Sequence, residues 1–118
     1  ARQPQRTWIY ASWSTPGAFS SPGIADAHTL SHEVFEWISD PFLDNATPEW
    51  FAEGYGCDDV LETGDPLVGV AFGVDLDGRT YHVQDAVFLP WFARQSPSTS
   101  YGGRYTYLGS FDGPATGC

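Results

Sequence analysis

Leu30, Val34 and Ile38 recur at four-residue intervals, and His28, His32 and Glu36 recur at the same interval two positions away. Four-residue spacing returns a side chain to nearly the same side of a helix, drifting by about 40° per step. The two rows predict one helix with an apolar side and a side of ligand-type groups. It is expected over Ile24 to Ser39, with Ser21-Pro22 as its start signal and Asp40-Pro41 as its stop.

The pattern elsewhere is of period two. Thr7 to Ser12, Leu67 to Val74, Thr80 to Val87 and Arg104 to Leu108 read as strands, and Asp77-Gly78 as the turn of a hairpin. Ser14 to Gly23 is a Ser/Pro/Gly loop. A short helix is expected near Pro48 to Glu53, and an irregular or short helical segment over Phe88 to Phe92, interrupted by Pro90. At 118 residues the chain reads as one domain, 1–118. The expected fold class is α+β: one central metal-site helix packed on a small, mainly antiparallel sheet, with long loops.

Charge narrows the partners. Fifteen acids stand against five arginines with no lysine, a net charge of −10. That balance argues against nucleic acid and against an anionic membrane surface. No apolar run reaches membrane-spanning length. Cys57 and Cys118 are the only cysteines and are expected to form one disulfide, which suits a secreted, extracellular protein. Ala1 reads as a processed or excised start, and a monomer is expected.

The candidate chemistry lies in His32-Glu33-x-x-Glu36. Two ligands one helical turn apart can grip a metal ion, and a carboxylate beside the first can take a proton from water that the metal activates. His32 and Glu36 are the expected core ligands, with Glu62 of Val60-Leu61-Glu62-Thr63-Gly64-Asp65 as the favoured third. His28 and Asp65 are substitutes or supporting groups. Glu33 is the candidate general base, and His82 a candidate for orienting substrate or stabilising an oxyanion. Zn2+ is the expected cofactor, with Ca2+ second. The leading reading is a metal-dependent hydrolase, most simply peptidase-like, acting on a peptide or other polymer. The competing class is a metal-stabilised module that binds carbohydrate or protein without catalysis. Glycoside hydrolysis by Glu36 and Glu62 ranks last, for want of a distinguishing motif.

Ser31-His32-Glu33 through Asp40-Pro41, Glu62-Thr63-Gly64-Asp65-Pro66, and Tyr81 to Phe92 together resemble a loose group of secreted, zincin-like proteins. The group includes the plant phosphate-induced, exordium-like proteins and bacterial relatives. The resemblance covers residues 24–110 and implies an exported protein with a zincin-like core. Glu36 stands where a zinc-peptidase helix carries its second histidine.

Overall fold

The two ends of the central helix's apolar row face outward, with Val34 between them half-buried. In the computed structural model, which describes residues 5–11 and 27–118, the helix α1 runs His28–Ser39. Leu30 and Ile38 are exposed, whereas His28 is buried. The inner side of α1 is polar: the Ser31 hydroxyl accepts a hydrogen bond from the Gln84 N–H (3.0 Å), and the His32 ring pairs with the Gln84 side chain. A helix whose neighbour offers polar partners can turn its polar side inward without leaving those groups unsatisfied. The start signal at Ser21-Pro22 and the loop from Ser14 to Gly23 lie outside the described residues. The stop is as expected. The Asp40 N–H donates to the Glu36 carbonyl (2.7 Å), and the buried Asp40 carboxylate accepts from the N–H groups of Asp44 and Asn45.

The fold is α+β, with its antiparallel pairing divided between two hairpins. The first joins β1 (Ala46–Ala52) to β2 (Gly56–Val60). A short helix was the expectation for Pro48 to Glu53, and the structure corrects it to strand. Trp50 and Ala52 alternate inward there, and Pro48, which lacks an N–H, falls where the register shifts between Ala46 and Trp50. The second hairpin joins β3 (Ala71–Leu76) to β4 (Arg79–Gln84) through Asp77-Gly78. Both turn residues have positive φ (51° and 74°), as a two-residue turn of this hand requires. β3 begins later than the pattern predicts because Asp65–Leu67 forms a 3₁₀ turn instead of extended chain.

Two other strand expectations are corrected. Thr7 to Ala11 has no strand partner among the described residues, and Ser12 lies outside them. The tie of this segment to α1 is a hydrogen bond from Trp37 Nε1–H to Thr7 Oγ1 (2.7 Å). Arg104 to Leu108 makes only an isolated bridge, Val87 to Thr106. There the buried Asp85 carboxylate draws the segment into a side-chain network instead. It accepts from the Leu108 N–H (3.1 Å), the Thr106 hydroxyl (2.8 Å) and the Ser110 hydroxyl (2.7 Å).

The core lies between the first hairpin and α2 (Leu89–Phe92), a short helix with Pro90 in its first turn. Trp50 is fully buried, stacks on Tyr55, and meets Trp91 and Phe92 edge-on. The expected disulfide joins Cys57 of β2 to Cys118 across 61 residues. Closing a loop of that length stabilises the fold by about 4 kcal/mol on the chain-entropy account. Among the described residues, no helix is long and apolar enough to cross a membrane.

Candidate metal centre

The helix sets two ligand-type groups one turn apart, and the 3₁₀ turn after β2 brings up a third. His32 Nε2 lies 3.2 Å from Glu36 Oε1 and 3.3 Å from Asp65 Oδ1. One ligand atom from each of the three residues lies within 4.8 Å of the others. With metal–ligand bonds of 2.0–2.2 Å, two donors on a tetrahedral ion stand about 3.4 Å apart. Two of the three separations are therefore close to those of a site that could hold a metal ion.

The imidazole is held from behind. His32 Nδ1 lies 3.0 Å from Gln84 Oε1, while Gln84 Nε2–H donates to the Gly64 carbonyl at 2.7 Å. The Gly64 contact fixes which end of the amide faces the ring. Nδ1 then carries a proton, and Nε2 is directed at the two carboxylates, the orientation a metal-ligating histidine needs. Gly64 is required by space. A Cβ there would stand 2.6 Å from His32 Nδ1 and 2.9 Å from Gln84 Nε2. Gly64→Ala is expected to weaken any metal affinity of this group by about 10- to 100-fold through displacement of the imidazole, as read by competition with a chromogenic chelator.

Without a metal, protons hold the cluster together. Burial opposes a charge on His32, but the hydrogen bond to Asp65 and the charge of Glu36 outweigh it, raising the pKa to about 9. Burial raises Glu36 to about 8, against the pull of His32. Burial and the charges of Asp65 and Asp58 raise Glu62 to about 7. Burial also disfavours ionised Asp65, but hydrogen bonds from His32 and Tyr55 outweigh it and keep Asp65 below the usual carboxylate range. The Tyr55 hydroxyl donates to Asp58 (3.1 Å), and the nearby Asp65 together with burial raises its pKa well above the ordinary phenol value.

These shifts give a signed pH dependence. Groups with raised folded pKa values contribute stability that is complete below their unfolded values and lost as pH rises through the folded ones. The metal-free protein is therefore expected to lose stability from about pH 5 to about pH 9, as His32, Glu36 and Glu62 give up protons. Asp65 works in the opposite sense, losing its contribution as pH falls below the carboxylate range. Urea midpoints measured across that range check the direction. A metal ion held by these groups should flatten the fall, because it would replace the protons.

The structure places the remaining sequence candidates around this trio. Glu62, the favoured third ligand from the sequence, is half-buried and lies outside the converging group, where Asp65 stands instead. His28 is buried and borders the same cavity but is likewise outside the group. That cavity, of about 210 Å³, is lined by His32, Glu33, Tyr55, Asp65, Val68 and Gln84 among others. Glu33 thus faces the space beside the ligands. His82 pairs across the hairpin with Gly73, on the same side of β4 as Gln84 by strand alternation, and is not among the residues lining the cavity. Gln84, Gly64 and Tyr55 were not singled out as site residues from the sequence. Gly64 in Thr63-Gly64-Asp65-Pro66 was the one available signal, since a glycine beside a ligand marks close approach. Comparison with protein-family models, curated proteins and solved structures yields no match to this chain.

Proposed function

We propose that this protein is an exported, zinc-dependent hydrolase of peptide bonds, with His32, Glu36 and Asp65 as ligands and Glu33 as general base. The observation that carries the reading is the convergence of three donor atoms, with both carboxylates at near-tetrahedral distance from His32 Nε2, beside a cavity that Glu33 also lines. One nitrogen and two carboxylates suit zinc. Calcium takes six to eight oxygens and has too few here.

A zinc ion in this place supplies Lewis acidity and lowers the pKa of water. The residues of the chain do the rest. Gln84 holds the His32 tautomer, and Tyr55 steadies Asp65 by hydrogen bonding. Glu33 accepts the proton of the attacking water and returns it to the leaving amine. The Cys57–Cys118 disulfide supports an oxidising, extracellular setting.

The test is elemental analysis of protein purified without added metal. About one zinc per chain is expected, displaced by a chelator, and lost in His32→Ala. Calcium in its place, or no metal after zinc supplementation, would overturn the centre.

A further inference from the structure

Two cavities open against α1, and Glu33 lines both. The first contains the metal-side groups. The second, of about 170 Å³, lies between residues 8–10 and the helix, with walls that include Trp8, Tyr10, Trp37, Leu43, Glu33 and Glu36. Sharing Glu36 with the candidate ligands and Glu33 with the first cavity, it adjoins the candidate metal centre. A polymer cleaved internally needs room on both sides of the scissile bond.

Its apolar wall is built. The Trp37 indole N–H holds Thr7, which lays residues 5–11 beside the helix. Leu43 has a left-handed backbone (φ 53°), unusual for a bulky residue, and is 67% exposed. The Asp40 carboxylate fixes the turn through the N–H groups of Asp44 and Asn45, so Leu43 is held outward. A sidechain displayed at the cost of backbone strain points to contact with something else.

Charge selects among the occupants. The lining carries Glu33, Glu36 and Asp40 and no cationic side chain. A second copy of a chain with net charge −10 would meet like charge there. The rings of Trp8, Tyr10 and Trp37 would also stack on a sugar, which makes glycans the competing occupant in the test, whereas the branched aliphatic surface of Ile9 and Leu43 favours an apolar side chain.

We propose that this cleft is a substrate subsite that seats one bulky apolar or aromatic side chain of a peptide whose neighbouring residues are neutral or basic. The inference rests on the hydrolase reading above and gives it a substrate class.

The test uses the full chain supplemented with zinc and three lysine-flanked, internally quenched peptides that differ only in carrying Phe, Ala or Glu at one position. N-methylated, uncleavable versions report binding by titration calorimetry, and chitohexaose and cellohexaose serve as glycan probes. The Phe peptide should bind about tenfold more tightly than the Ala peptide, with the Glu peptide weakest. Leu43→Gly, which suits the local backbone and removes the side chain, should abolish the preference and leave zinc content unchanged. Equal binding of Phe and Ala peptides, binding of the glycans alone, or no binding at all would overturn the subsite. Selective binding without cleavage would defeat the hydrolase while keeping the subsite. Cleavage with no preference at that position would do the reverse.

Discussion

Glu33→Gln is expected to lower peptide hydrolysis by about 10²- to 10⁴-fold with zinc still bound. The amide keeps the size of the carboxylate and its place on α1 but cannot accept a proton at neutral pH. Glu33 follows His32 directly and lines the cavity without belonging to the converging ligand trio, so its loss should leave the metal in place. The comparison to make is with His32→Ala, which on the proposed reading should remove the metal and the activity together. Activity retained by Glu33→Gln would take the base away from Glu33. Metal lost along with the activity would move Glu33 into the ligand set. Should neither protein cleave any peptide while both bind ligand, the non-catalytic module becomes the better account.

Trp50→Ala is expected to cost about 3–5 kcal/mol, much of the 5–15 kcal/mol by which domains of this size are stable. Trp50 is 0% exposed, and three aromatic rings pack on it. Its indole N–H donates to the Val60 carbonyl (2.9 Å), so truncation would also remove one hydrogen bond to that carbonyl, leaving the one from the Glu62 N–H (3.1 Å). The effect should reach the metal side. Tyr55 stacks on Trp50 at 5.4 Å while its hydroxyl serves Asp58 and Asp65. Urea denaturation measures the loss. A change below about 1 kcal/mol would mean that the core closes around the space and Trp50 is no hub.

What could be read in the sequence was local. The helix stop at Asp40-Pro41, the Asp77-Gly78 turn and the helical segment around Pro90 depend on neighbouring residues, and each lies where the pattern put it. The proximity of His32 and Glu36 follows from the helical repeat alone. The side of α1 that faces inward did not follow, because periodicity gives a helix two sides and only the neighbour decides which is buried. Here β4 presents Gln84, so the polar side turned in and the ends of the apolar row turned out. The choice between Glu62 and Asp65 was equally beyond spacing. Both belong to one short acidic run, and the 3₁₀ turn at Asp65–Leu67 brings Asp65 to the imidazole. A short helix was expected near Pro48 to Glu53, but pairing with β2 overrode it.

The Asp77-Gly78 turn stands at the far end of β4 from Gln84. Side chains on a strand face alternate sides, so a slip of one position in the pairing of β3 with β4 would turn Gln84 away from the helix. The amide clamp on Nδ1 and the tie to the Gly64 carbonyl would go together. A two-residue turn with no part in the chemistry thus carries parity information for it. Changes there that preserve the count can be absorbed, while an odd slip would disarm the imidazole from a distance.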